Sequence, residues 1–267
     1  MNNKLKSKVA VIGGSGFLGK YVCDELIKKG YSVKILDINP PNLEKNKFIF
    51  KKIDILNEDS LTKELKGCKT VFNFASVADI DECKLNPKKT FNTNLIGLIN
   101  ILNSCKYNRI QKFIYSSSVY VNGNKGSFYR ISKKAAEDII SEYKLIMKSC
   151  KFLTLRYGSL YGKDAQEWNS IYKYVIQAMK SKHIKFKGEK NDLREYIHIE
   201  DAARVTVDIA LNKKLDGKYV ITGNQQVRGY ELIELFKEIS NSKLRVSYGN
   251  MKKNDHYSIT PFTIENK

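Results

Sequence analysis

The chain has 267 residues and a formal net charge of +19, with 47 Lys+Arg against 28 Asp+Glu. Hydrophobic residues make up 42% of it, enough for a substantial core, so intrinsic disorder is set aside; no apolar run reaches the roughly 20 residues needed to span a bilayer. The positive charge is mostly lysine spread along the whole chain, not clustered arginine, so nucleic acid is not the expected partner and a small phosphorylated substrate suits the surface better.

The polar residues 1–8 lack the apolar stretch of a signal peptide, which points to the cytoplasm. A short buried strand over 9–12 runs into Gly13-Gly14-Ser15-Gly16-Phe17-Leu18-Gly19, and a helix over 20–29 closes at Gly30. Strands follow at 33–36, 48–53, 70–74 and 112–115, with helical patterns at 60–65 and 89–106 between them. A helix from 132 to about 148 and a strand over 152–155 complete this half. The alternation predicts an α/β chain with a parallel sheet and helices on both faces. After Arg156 the pattern loosens: helices fit 171–181, 202–211 and 230–240, a strand fits 196–198, and 219–221 reads as a last strand of the main sheet. Beyond Tyr248 no period is visible.

The glycines at 13, 16 and 19 sit between a strand and a helix. Gly13 permits a tight turn, Gly16 lets a pyrophosphate approach the backbone, and Gly19 allows close helix–sheet packing. The helix N-terminus, opened by Phe17 and Leu18, then offers free N–H groups to the phosphates. This is a dinucleotide fingerprint, so the expected fold is a Rossmann-type doubly wound parallel sheet. Residues 1–158 form its binding domain, and 159–267 form a small C-terminal substrate lobe in which about 195–223 return to the sheet. Asp37, ending the second strand, can accept both ribose hydroxyls and would repel a 2′-phosphate, which favours NAD over NADP. Asp54 and Ile55 stand where the adenine edge would lie; for Asp54 a loop cap is the competing reading. The five cysteines are scattered without a C-x-x-C pair, and His183 and His256 lack partners at ligand spacing, so neither a disulfide framework nor a metal site is expected.

Further motifs carry a resemblance. Tyr129-Arg130-Ile131-Ser132-Lys133, the serines 116–118, Asn73-Phe74-Ala75-Ser76, Asn94-Leu95-Ile96-Gly97, Arg156-Tyr157-Gly158-Ser159-Leu160-Tyr161-Gly162 and Leu193-Arg194-Glu195-Tyr196-Ile197-His198 follow one another in a fixed order. In this the chain resembles the extended short-chain dehydrogenase/reductases of the NAD-dependent epimerase/dehydratase family. The resemblance implies Tyr129 as the proton acceptor, Lys133 as its partner and holder of the nicotinamide ribose, and a serine as assistant. An ungapped reading to Gly123 selects Ser118; anchoring on Val119-Tyr120 selects Ser116, which otherwise contacts the cofactor. It also implies cofactor contacts from Phe74, Ala75, Ser76, Asn94 and Tyr157, and substrate contacts from Ser118, Ser159 and Arg194, the last on a nucleotide diphosphate. Lys133 and the nicotinamide charge are expected to lower the Tyr129 pKa.

The implied activity is oxidation at carbon 4 of a nucleotide-activated sugar (UDP-, GDP- or dTDP-linked). Val119 and Tyr120 replace the Asp-Glu pair of the 4,6-dehydratases, so elimination of water is not expected. An epimerase leads. A 4-dehydrogenase, for example of a GDP-heptose in capsule synthesis, is the alternative, because only the ten residues 119–128 separate Ser118 from Tyr129. A non-catalytic NAD-sensing or RNA-binding protein is a distant third. The helices at 89–106 and 132–148 resemble the family's dimer interface, so a homodimer is expected. The tail from Asp255 to Phe262 looks like the start of a substrate-lobe segment.

Overall fold

The computed structural model describes residues 6–43, 47–240, 243–248 and 255–261. The first half runs β1 (Lys6–Ile12), α1 (Phe17–Lys28), β2 (Tyr31–Asp37), β3 (Phe48–Lys52), α2 (Glu58–Glu64), β4 (Thr70–Asn73), α3 (Ile80–Leu85), α4 (Pro87–Phe91), a π-turn (Asn92–Ile96), α5 (Gly97–Tyr107), β5 (Lys112–Ser118), α6 (Ser127–Ile146) and β6 (Lys151–Tyr157). The second half adds β7 (Ser159–Tyr161), α7 (Ser170–Ser181), β8 (His183–Phe186), β9 (Leu193–His198), α8 (Ile199–Leu211), β10 (Gly217–Ile221), β11 (Gln226–Arg228), α9 (Gly229–Ser240) and β12 (Arg245–Tyr248).

Seven strands form one sheet in the order β10-β6-β5-β4-β1-β2-β3, with every neighbouring pair parallel. This is the doubly wound Rossmann order, extended by β10 at one edge. Strand alternation decides which face each side chain serves. Val9, Val11, Val33, Ile35, Leu153 and Leu155 share one core with Val22 and Leu26 of α1 and Ala203 and Val207 of α8. Ala10, Ile12, Leu36, Val71 and Phe113 share the other with Leu98 and Ile101 of α5 and Ala136 and Ile140 of α6. A sheet covered on both faces explains why its strands read as continuous apolar runs.

The elements differ from the sequence reading in three instructive places. The helix expected over 89–106 is present as one helical run over 87–107, with a π-type segment (Asn92–Ile96) set between α4 and α5. Pro87 starts α4, and Asn94 in the π-turn accepts from Val77 N–H (2.8 Å) and donates to Val77 O (3.0 Å) and Ser132 Oγ (3.0 Å), drawing the backbone out of register. Helix α6 begins at Ser127, not 132, because Gly126 (φ +105) turns the chain into it. Strand β5 runs on through Ser118, so all three serines are ladder residues paired with β6.

The second half holds its own small core. Tyr174, Ala178, Ile184, Phe186, Ile233 and Leu244 pack between α7, α9 and the parallel pair β8–β12. Within residues 195–223, β10 joins the seven-stranded sheet, while β9 pairs with β7 and β11 in a three-stranded one. β12 ends at Tyr248, where the tail without visible period begins; of that tail, residues 255–261 run along β9: Leu193 N–H donates to Ser258 O (2.7 Å) and Thr260 N–H donates to Leu193 O (3.2 Å). Phe262 lies outside the described residues. Among the described residues, no helix is long and apolar enough to cross a membrane.

Candidate active site

The strand order reverses between β1 and β4, and a doubly wound sheet opens a crevice at the carboxyl ends of its strands there. A cleft of about 510 Å³ lies at this point, walled on one side by Gly13, Gly16, Phe17, Leu18, Gly19, Phe74 and Ser76 and on the other by the smaller lobe. Gly13 has φ +75, and a Cβ on it would sit 2.4 Å from Ala75 N; a Cβ on Gly19 would sit 2.2 Å from Gly13 O. Both glycines are therefore obligatory. A Cβ at Gly16 would meet only Gly13 O, at 3.3 Å, so the Gly16 backbone fronts open cleft. Gly16 caps α1 without a side-chain bond, which leaves the first-turn N–H groups pointing at whatever occupies the crevice. This cradle fits a pyrophosphate.

Asp37 lies at the end of β2 with its carboxylate held in place. Oδ2 accepts from Ser15 N–H and Oδ1 from Asn39 N–H, each at 3.0 Å. Lys34, three residues earlier on the strand, is buried on the opposite face and donates to Glu64 Oε2 (2.9 Å) and Glu64 O (2.7 Å). It cannot serve a 2′-phosphate beside Asp37. Asp54 accepts from Leu56 N–H (2.9 Å) as a loop cap, Ile55 packs against Gly97, and neither lines the enclosed cleft. Asn94 and Ala75 do not line it either; Asn94 braces the loop at Val77 and Ala75 backs Gly13. Tyr157 borders the cleft, but its hydroxyl is bonded to Thr206 Oγ1 at 2.6 Å.

Ser116, Ser118, Tyr129 and Lys133 meet on the cleft wall. The i,i+4 spacing on α6 presents Tyr129 and Lys133 to the same side. Ser118 is the serine set against Tyr129, where it favours the ionised phenol; its hydroxyl also accepts from Tyr120 N–H at 3.4 Å. Ser116 offers its carbonyl instead, which accepts from Lys133 Nζ at 2.8 Å. Burial pushes Tyr129 up to about 12 despite Ser118, and burial pushes Lys133 down to about 8. The expected lowering of the Tyr129 pKa by Lys133 is thus not present in the protein by itself. Nζ is anchored on Ser116 O and lies 5.8 Å from the centre of the Tyr129 ring, and desolvation wins.

Glu137, one turn beyond Lys133, was not singled out by sequence motifs. It is buried and accepts from Arg156 Nε (2.9 Å) and NH2 (2.7 Å), from Ser117 Oγ (2.6 Å), and pairs with Lys218 Nζ (3.0 Å). Burial raises its pKa, but these hydrogen bonds outweigh it and hold the carboxyl below its usual range. The network ties β5, β6 and α6 together directly behind the serines.

The lobe side supplies Ser159, Trp168, Arg194, Tyr196, His256 and Tyr257. Arg194 NH2 donates to Tyr257 O (3.0 Å), and its guanidinium lies 4.9 Å from the Tyr257 ring centre. The Ser159 hydroxyl is 3.3 Å from the Tyr257 hydroxyl. His256 and Tyr257 fall in the stretch read as the start of a substrate-lobe segment, but sequence reasoning gave neither a site role, because they come more than a hundred residues after the serines from a stretch without pattern. All five cysteines are buried with free thiols, and no cluster able to hold a metal exists among the described residues.

A glycine cradle at the switch point, an acid ending β2 and a Tyr–Lys pair on the cleft wall define a Rossmann-type, NAD-dependent enzyme. The chain belongs to the NAD dependent epimerase/dehydratase family, whose model matches residues 9–222. It is 27% identical to a putative UDP-glucose 4-epimerase of Methanocaldococcus jannaschii, over 94% of this chain and 88% of that one. It is 25% identical to a UDP-glucose 4-epimerase of Dictyostelium discoideum, over 94% and 86%. The fold is also that of UDP-glucuronic acid 4-epimerase from Bacillus cereus, solved with UDP-glucuronic acid and NAD (TM-score 0.87, 23% identity, 96% of this chain and 90% of that one).

Proposed function

We propose that this chain is a nucleotide-sugar epimerase acting at carbon 4, with residues 1–158 as the NAD-binding unit and 159–267 completing the substrate site. One observation carries the reading: Ser118, Tyr129 and the anchored Lys133 line one cleft, between the glycine cradle and the half-buried Arg194. Gly13, Gly16 and Gly19 with the first turn of α1 would hold the pyrophosphate, Asp37 the adenosine ribose, Lys133 the nicotinamide ribose, and Phe74 and Ser76 the adjoining wall. NAD supplies a hydride acceptor that can give the hydride back. Tyr129 would take the proton of the sugar 4-hydroxyl as hydride leaves carbon 4, and give it back to the 4-oxygen when hydride returns to the opposite face of the turned keto sugar, with Ser118 beside that oxygen. Arg194 and Ser159 serve the diphosphate side. The nucleotide is a UDP, GDP or dTDP moiety, and UDP is favoured by the relatives.

Incubation with UDP-, dTDP- and GDP-sugars, followed by NMR of the products, tests this. A 4-epimer is expected. Accumulation of a keto sugar would instead make the protein a 4-dehydrogenase, and no turnover of any nucleotide sugar would overturn the reading.

Cofactor choice follows from Asp37. NAD should bind more tightly than NADP, because a 2′-phosphate would face a fixed carboxylate while Lys34 is turned away. Asp37→Ala should weaken NAD by about tenfold, the loss expected for a charged hydrogen bond, and narrow the preference. Titration calorimetry on protein stripped of nucleotide checks it; equal affinities in the unmutated protein would contradict the role.

The functional unit is proposed to be a homodimer. Leu85, Ile96, Ile131, Leu145 and Ile146 are exposed on α3, the π-turn and α6. Sedimentation at micromolar concentration should show a dimer, and Leu145→Asp with Ile146→Asp should shift it to monomer.

A further inference from the structure

The segment 255–261, expected to open a substrate-lobe segment, packs beside the catalytic wall of the cleft. It is fixed on β9 by the two backbone bonds to Leu193 and held at its start by Lys84 Nζ on Asp255 Oδ2 (2.6 Å). It packs against the short segment between Ser118 and Tyr129: a Cβ on Gly123 would lie 3.0 Å from Pro261 Cβ. The Tyr257 ring is 4.6 Å from the Tyr120 ring, and the Tyr120 ring meets Tyr129 edge-on at 6.0 Å. Where the stretch 119–128 is too short to wall the cleft by itself, this strap supplies the wall.

His256 is its polar member. The ring lines the same cleft as Tyr129, and Nδ1 is 2.7 Å from the Tyr120 hydroxyl. Burial, followed by the charge of Arg194, pushes its pKa down to about 4, so the imidazole is neutral at ordinary pH. A neutral imidazole carries one donor and one acceptor, a match for sugar hydroxyls and for a keto oxygen, and not for a diphosphate. We propose that the strap closes the sugar end of the site and that His256 is a specificity-determining contact to the sugar ring, fixed in orientation by Tyr120. This rests on the nucleotide-sugar reading above.

The test uses the full chain. The sequence has three histidines, so the ring signals of ¹³C-histidine-labelled protein can be assigned with His256→Gln. UDP, GDP and dTDP are titrated first, then their sugars. The His256 signal should move with the sugar nucleotide that is turned over and stay still with the matching diphosphate. His256→Phe should raise KM for that substrate about five- to tenfold, the loss of one hydrogen bond, with bound NAD and diphosphate affinity unchanged. His256→Gln should restore part of the loss. A signal that moves equally with diphosphate alone, or kcat/KM unchanged in His256→Phe, would overturn the proposal. Turnover with a silent His256 sinks this inference and leaves the epimerase reading standing. Failure of every nucleotide sugar to bind sinks both.

Discussion

Tyr129→Phe should lower turnover at least a hundredfold while the protein stays folded and retains NAD. The change removes one oxygen from a half-buried side chain on the cleft wall. On the proposed mechanism that oxygen is the proton acceptor, and Ser118 stands beside it. Loss of general base catalysis of this kind costs about two to four orders of magnitude, or about 3–5 kcal/mol of barrier. The stability change should be small, about 1 kcal/mol, because only one neutral hydrogen bond is broken and the ring packing against Tyr120 remains. Steady-state assays on the best nucleotide sugar, with bound NAD read by absorbance after denaturation, separate the two effects. Retained activity in Tyr129→Phe would show that another group moves the proton. Ser118→Ala should lose less, because it removes the hydrogen-bond partner and leaves the acceptor in place.

Lys133→Met should abolish most activity and yet make the protein without nucleotide more stable at neutral pH. Burial holds Lys133 at about 8, against an ordinary value near 10.5. Below pH 8 it is charged in both the folded and unfolded states, and the folded state bears the full desolvation cost. Between pH 8 and 10.5 the unfolded chain binds the extra proton, so native stability rises with pH through that window. Above it the cost is gone. The shift corresponds to about 3 kcal/mol as an upper bound, and the lost bond to Ser116 O takes back part of it. A net gain of about 1–2 kcal/mol at pH 7 is expected for Lys133→Met, shrinking toward or below zero by pH 10.5. Urea unfolding of the two proteins at pH 7 and pH 10 measures it. A variant destabilised equally at both pH values would mean that the ammonium is not a strained, functional charge. This is the trade expected of a buried residue kept for chemistry and not for packing.

The elements that were legible in the sequence are those whose signal is local. The glycines at 13, 16 and 19, the acid at 37 and the i,i+4 pair Tyr129–Lys133 each encode a backbone or helical constraint within a few residues, so spacing alone places them on strand end, turn and helix face. The α/β class was legible for the same reason, because a sheet covered on both faces leaves continuous apolar runs. What spacing could not decide was any question settled by contacts distant along the chain. Two registers competed for the assisting serine until the β5–β6 ladder and α6 put Ser118 against the Tyr129 hydroxyl and turned the Ser116 carbonyl to Lys133. Asn94, expected as a cofactor contact, is tied by hydrogen bonds to Val77 and Ser132, which no local spacing announces. The electrostatics also belong to the tertiary structure: a tyrosine beside a lysine reads as acidified on paper, whereas desolvation raises the one and lowers the other. The substrate end needed the whole fold, since His256 and Tyr257 reach Tyr120 and Arg194 only because residues 255–261 add themselves to β9. Backbone pairing of that kind leaves no side-chain period to read, so the sequence by itself determined the cofactor half of the cleft, and the tertiary structure decided the half that meets the sugar.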